Sequence, residues 1–381
     1  MRRDGALRTA IGLVWDLLLP LGLGLFLLPM DPRLSSLPLM LWILGQLLLA
    51  PQPRRWALWP LLALMLLNTR IWWFNDPPHP ASVQDGLVLL AGLLTATTVS
   101  MRRWNSILRL PLIALLPLLS SVGPKPWAPN PAVGSNQGAY LLGLLLLLAA
   151  VWCWQERQPW LRLIAGGTSA LAFVMLWQTG SRAALIASMV AFAIVGLRER
   201  ARAGTLRRDL LLLFGTGTLL YLARWLLFST NSSLPGLKSG SDLGRWLTAE
   251  CFAGVPFTGS NRLLYGVGFD RFQEFCQVPF QGLMLQHAHN LYLQLWAGAG
   301  LLGMLALLLV VVQLIRQWRS VEFGLPLALR CSGQAALIYT LLQGCFDLSL
   351  LHWPVTLAFT GLLLGMPLAF SADSVQGTDR R

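Results

Sequence analysis

Three side chains far apart in the sequence have the chemistry for a group transfer: Arg182, Arg245 and His289. A neutral imidazole is the side chain best suited to removing a proton near neutral pH. His289 lies in QHAHNLYLQLWAGAGLLGM, residues 286–304, where a polar opening passes into an apolar segment that continues to Ile315. Asn290, the next residue, can orient the imidazole or hydrogen-bond a substrate. Arg182 lies in TGSRA and Arg245 in GRW. A guanidinium donates a bidentate fork to phosphate oxygens, so two of them suit a diphosphate and neutralise leaving-group charge. Together these residues point to transfer from a lipid-linked diphosphate, with no metal supplied by the sequence. Each also has a plainer reading: snorkelling to lipid headgroups for Arg182, solvation for Arg245, and an interface residue for His289. Arg262 and Arg271 are further arginines of the same region, with less to set against simple solvation. Asp347, in CFDLS, either caps a helix, pairs with Arg182 or Arg245, or contacts substrate.

The elements that must position these residues are membrane helices. The chain of 381 residues is 55% hydrophobic and only 12% charged, with a mean hydropathy of +0.59, which is more apolar surface than a soluble core can bury. Its net charge of +13 is scattered between apolar runs rather than gathered into a tract, which argues for topology signals and against nucleic acid. Arg2, Arg3 and Arg8 lead into a long apolar segment with no evident cleavage site, so the N-terminus is expected to be retained. A crossing needs about 17 to 25 residues. Apolar runs at 9–29, 34–50, 56–74, 83–100, 106–121, 138–154, 160–178, 183–197, 209–228, 290–315, 326–345 and 351–370 give about twelve spans. The expected fold is therefore an all-α polytopic integral membrane protein.

Lysine and arginine accumulate on the cytoplasmic side. With the N-terminus inside, inner segments hold nineteen of the 29 basic residues, outer segments seven, and spans three. This asymmetry supports an even number of spans with both termini cytoplasmic. The expected organisation is residues 1–228 as an N-terminal bundle of about nine helices, 229–288 as one large outward loop, 289–370 as about three further helices, and 371–381 as a cytoplasmic tail. In the loop, TNSSLPGLKSGSDLG has the composition of a flexible stretch. RWLTAECFAGVPF and DRFQEFCQVPF resemble short amphipathic helices lying on or near the membrane surface, with the turn YGVGF between them. Cys251 and Cys276 both fall in the loop and can pair if the outside is oxidising, or stay as two unrelated buried thiols. No CxxC or His/Cys cluster argues for a metal.

TGSRAAL at 179–185, GRW at 244–246, YGVGFDRF at 265–272 and HNLYLQLWAGAGLLG at 289–303 together resemble the O-antigen ligase and O-antigen polymerase superfamily of bacterial envelope glycosyltransferases. The resemblance covers residues 179–303 by motif and the rest by hydropathy alone. It implies a GT-C-like, metal-independent glycosyltransferase of the bacterial inner membrane, without cofactor and with its active site at the periplasmic face. The donor would be a glycan on undecaprenyl diphosphate, its tail accepted by an apolar groove between helices and under the loop, with membrane lipids as further partners and lipid A core or another glycan as the acceptor. On that resemblance Arg182 and Arg245 hold the diphosphate and His289 activates the acceptor hydroxyl, with inversion at the anomeric carbon. Asn290, Arg262, Arg271 and Asp347 are the candidates for further substrate contacts. Two departures weaken assignment to one branch. Ala297 and Ala299 stand where an acidic residue is frequent, and LLY precedes the glycine turn where a His-Pro-like dipeptide is frequent.

Within the superfamily a ligase, a polymerase and a protein O-glycosyltransferase differ only in acceptor, and the ligase is slightly favoured. A secondary transporter of lipid or sugar is the alternative from another class, with Asp16, Arg224 and Arg330 as intramembrane candidates that form no evident pair. A structural scaffold would leave the positioned arginines and histidine without a role.

Overall fold

The structure is a computed structural model that describes residues 16–27, 32–49, 80–99, 103–109, 113, 135–204, 239–268, 272–280, 283–285, 287–321, 324–347, 350 and 353–370. The expected spans at 56–74 and 209–228, and the expected site residue Arg271, lie outside the described residues. The described part is predominantly helical. Helices α1 (Leu18–Leu27), α2 (Pro32–Leu49) and α3 (Pro80–Thr98) are followed by a short helical piece at 103–109. Next come α4 (Ser135–Gln155), α5 (Pro159–Gln178) and α6 (Arg182–Arg202). A smaller cap comprises α7 (Ser239–Gly254), a 3-10 turn (Val255–Thr258), α8 (Ser260–Tyr265), α9 (Phe272–Phe275) and an antiparallel hairpin of β1 (Val278–Phe280) and β2 (Leu283–Leu285). The chain then forms α10 (Leu291–Val321), α11 (Leu327–Gly344), α12 (Pro354–Gly365) and a closing 3-10 turn (Met366–Ala369).

Among the described residues three helical segments are long and apolar enough to cross a membrane: Asn136–Gln155 in α4, all of α5, and α10. They differ in position. The apolar window of α4 is 78% buried, against 33% for α5 and α10, so α4 is the most enclosed of the three. Side chains such as Leu163 and Leu308 remain outside the core, and a face of that kind is costly in water but not among lipid chains.

Close approach in the core comes from glycine and from buried polar pairs. A Cβ on Gly361 would stand 2.5 Å from the Leu89 carbonyl oxygen, and one on Gly365 2.8 Å from that of Leu93, so the backbones of α12 and α3 touch. Between α4, α11 and α12 the Tyr140 hydroxyl meets Thr340 Oγ1 at 3.1 Å and Thr360 Oγ1 at 3.0 Å. The Tyr339 hydroxyl donates to the Tyr140 carbonyl at 2.9 Å. These bonds satisfy groups that would otherwise be costly in an apolar interior.

Ion pairs then orient the helices. Asp16 Oδ1 accepts from Arg103 Nη2 at 2.6 Å and from Trp42 Nε1 at 3.0 Å. Glu156 Oε2 accepts from Arg109 Nη2 at 2.7 Å, the guanidinium lying over the Trp152 ring. Glu199 is paired with both Arg330 and Arg202. Asp16 and Arg330 are not paired with each other: Asp16 meets Arg103 and Arg330 meets Glu199, while Arg224 lies outside the described residues.

Several boundaries also differ. Helix α6 runs to Arg202 rather than ending near 197, and α10 runs to Val321 rather than Ile315. Arginine and glutamate propagate a helix well, so it continues past its apolar part. In the cap the helix starts at Ser239, inside the stretch read as flexible. QVPF, expected to be helical, supplies strand β1, where Pro279 lacks the N–H a continuing helix needs. The expected all-α fold thus carries one small hairpin.

Candidate functional site

His289 stands at the junction of cap and bundle, and the backbone there is unusual. Its φ of 49° places it in the left-handed region, the only non-glycine case among the described residues. Such a conformation is costly for a residue with a Cβ and persists where its surroundings over-determine it. Here the surroundings are specific. The Gln294 side chain reaches back, its Oε1 accepting from the Ala288 N–H at 3.1 Å. Asn290 Oδ1 accepts from the N–H groups of Tyr292 at 2.9 Å and Leu293 at 3.0 Å, which makes Asn290 the N-cap of α10.

The same asparagine joins α10 to α11. Its Nδ2 donates to the Cys345 carbonyl at 2.8 Å, and one turn inward the Tyr292 hydroxyl donates to the Leu341 carbonyl at 2.7 Å. These two bonds bring the end of α11 against the start of α10. As a result His289 Nδ1 lies 3.9 Å from Asp347 Oδ1. That separation is too long for a hydrogen bond and short enough for a charge interaction, and Asp347 is buried. The carboxylate thus stands beside the imidazole without bonding to it.

Arg182 occupies the first position of α6, after a turn in which Gly180 has φ 70°. Thr179 closes that turn: its Oγ1 donates to the Leu176 carbonyl at 2.7 Å and accepts from the Ser181 N–H at 3.2 Å. The Arg182 side chain is exposed. Its level in the bundle follows from the Glu199–Arg330 pair, which joins the last turn of α6 to the first turn of α11, so these packed helices run antiparallel. Arg182 lies 17 residues before Glu199 and Asp347 lies 17 beyond Arg330. At about 1.5 Å per residue both are about 25 Å from that pair. Arg182, Asp347 and His289 therefore share one end of the bundle.

Arg245 is exposed on α7, beside the stripe of Gly244, Thr248 and Phe252 that faces the cap's own core. Helix α7 is fixed at its far end. The Sγ atoms of Cys251 and Cys276 form a disulfide with a length of 2.10 Å, and Trp296 Nε1 of α10 donates to the Ala253 carbonyl at 3.1 Å. Arg262 is engaged within the cap: its Nη1 donates to Thr258 Oγ1 at 2.8 Å, and its guanidinium lies 4.7 Å from the Phe275 ring centre. Among the described residues no three His, Cys, Asp or Glu side chains are grouped as a metal would require.

Sequence reasoning missed the join that holds the cap in place. The φ of Gly300 is 61°, which breaks α10 into Leu291–Ala299 and a longer segment beyond. A break leaves carbonyls without their intrahelical donors. Two of these are taken up by the YGVG turn: the Val267 N–H donates to the Ala297 carbonyl and the Gly268 N–H to that of Gly298, both at 2.9 Å. Gly266, with φ 74°, lies so near that a Cβ would collide with the backbone of Gly298 and Ala299, and a Cβ on Gly300 would stand 2.6 Å from the Gly266 nitrogen. The glycine-rich stretches YGVG and AGAG were visible in the sequence, and their mutual contact was the missing link.

Comparison with known proteins finds no family model that matches this chain and no curated protein with significant similarity to it.

Proposed function

We propose that this chain is a membrane glycosyltransferase that moves a saccharide from undecaprenyl diphosphate to an acceptor hydroxyl at the periplasmic face of a bacterial inner membrane. The observation that carries the proposal is the pairing of a conformationally constrained His289 with the buried Asp347, at the bundle end that also bears Arg182. In this reading His289 removes the proton of the acceptor hydroxyl as its oxygen attacks the anomeric carbon. The bond from that carbon to the diphosphate oxygen breaks, and undecaprenyl diphosphate leaves with the electron pair. Arg182 and Arg245 neutralise the charge that develops on it, while Asp347 stabilises the imidazolium. About twelve spans with both termini cytoplasmic complete the arrangement. The disulfide favours an oxidising, outward side for the cap.

A ligase acting on lipid A core is the preferred form, and a polysaccharide polymerase the alternative within the same chemistry. One observation favours a secondary transporter, because broken helices form ion and substrate sites in such proteins. Here, however, the freed carbonyls of Ala297 and Gly298 are already bonded to the cap.

The deciding experiment uses purified protein with an undecaprenyl-diphosphate oligosaccharide, lipid A core and a chelator. Transfer to lipid A core that survives chelation, and that falls by about 10²–10³ in Arg182→Ala, is the expected result. Absence of transfer to any acceptor, together with lipid or sugar flux across vesicles, would replace this reading by the transporter.

The orientation has its own test in Cys345, an exposed thiol near the site, whereas Cys331 is buried. A membrane-impermeant maleimide added to intact spheroplasts should label the protein, and Cys345→Ser should lose that label. Labelling only after lysis would place this end of the bundle in the cytoplasm and overturn the orientation.

A further inference from the structure

The cap leaves large apolar side chains uncovered at the place where it meets α10. Phe257 is 73% exposed, although its ring lies 5.8 Å from that of Trp296. Leu264 is 41% exposed and sits beside the break, its carbonyl carbon 2.7 Å from where a Cβ on Gly300 would stand. Just past the break Leu301, Leu305 and Leu308 are also exposed. Their spacing of four and then three residues puts them on one helical face. Exposed apolar side chains are therefore found on the cap, beside the break, and beyond it on a helix able to cross a membrane.

We propose that Phe257 and Leu264 anchor the cap in the phospholipid bilayer, seated among the outer ends of the acyl chains. The occupant follows from that adjacency: Phe257 lies beside Trp296 and Leu264 against the break at Gly300, and the exposed leucines of α10 begin at the next residue. Polar neighbours accompany them: Ser260 and Asn261, between Phe257 and Leu264 in the chain, are exposed. Aromatic side chains with polar residues beside them are enriched at the membrane interface. The proposal rests on α10 crossing the membrane, and its test separates the two statements.

A photoreactive benzoylphenylalanine is placed at position 257 of the full chain, in nanodiscs of phosphatidylethanolamine and phosphatidylglycerol, and irradiated adducts are identified by mass spectrometry. Position 305 serves as the lipid-facing reference. Position 250, exposed on the side of α7 opposite Thr248 and Phe252, serves as the water-facing one. Phospholipid adducts at 257 should match those at 305 and exceed those at 250 by about tenfold. Adducts at 257 confined to protein, or no more lipid there than at 250 while 305 labels well, would overturn the anchoring. A failure of 305 itself to label would instead remove the membrane crossing on which the proposal stands.

Discussion

His289→Ala is expected to lower kcat for glycan transfer by about 10²–10⁴-fold, the range by which a positioned general base accelerates a reaction. The loss should fall on kcat with little change in KM, because the imidazole acts on a proton that moves in the transition state. Asp347→Asn keeps the shape of the buried side chain and removes its charge, 3.9 Å from His289 Nδ1. It should therefore reduce kcat as well, by less than His289→Ala. The two effects should not add in the double variant, since Asp347 acts only through a histidine that is no longer there. Asn290→Ala has a different signature. Asn290 is committed to the cap of α10 and to the Cys345 carbonyl, so its loss should appear first as about 1 kcal/mol of stability. A full-activity His289→Ala enzyme, measured with detergent-purified protein of unchanged melting temperature, would end the assignment of this histidine as the base.

The second large effect belongs to the join between cap and bundle. Gly266→Ala must place a Cβ on a left-handed backbone, at a cost of about 1–2 kcal/mol, and against the Gly298 carbonyl. Backbone cannot move aside as a flexible side chain does. Separation would leave the Ala297 and Gly298 carbonyls without their donors, at about 1–3 kcal/mol each when buried. These terms approach the whole stability of an ordinary domain. Gly266→Ala and Gly300→Ala should consequently give protein that is poorly folded in detergent and readily proteolysed in the cap. Gly259→Ala is the matched control. Its φ of 178° is ordinary extended backbone, and its Cβ would meet only the Arg262 side chain, at 3.9 Å. A Gly266→Ala protein as stable as Gly259→Ala, by thermal unfolding, would show that the join contributes nothing.

The parts of the architecture legible in the sequence are those set by hydropathy. The positions of α4, α5 and α10 follow from apolar runs, and their polar ends bracket the residues expected to act. What escaped was long-range. YGVGF is readable as a turn, and nothing local says that its N–H groups complete a helix break more than thirty residues later. Asn290 is expected to orient the imidazole or hydrogen-bond a substrate, and an asparagine just before an apolar helix is also readable as the N-cap it forms. That Asp347 stands near His289 is not legible either, because the bonds that align α10 with α11 come from Asn290 and Tyr292. The pairs of Asp16 with Arg103 and of Arg330 with Glu199 join residues far apart in the sequence, and only packed helices reveal them.

The interruption at Gly300 also decides how the protein responds to the thickness of its surroundings. The segment from Leu301 to Val321 is about 31 Å long as a helix, close to the hydrocarbon depth of a bilayer. In a thinner membrane a helix adapts by tilting. An unbroken α10 would act as a lever and swing His289 away from Asp347. With α10 broken at Gly300 and Leu291–Ala299 joined to α11 and the cap, a tilt of the longer segment is expected to leave the spacing of His289 and Asp347 unchanged.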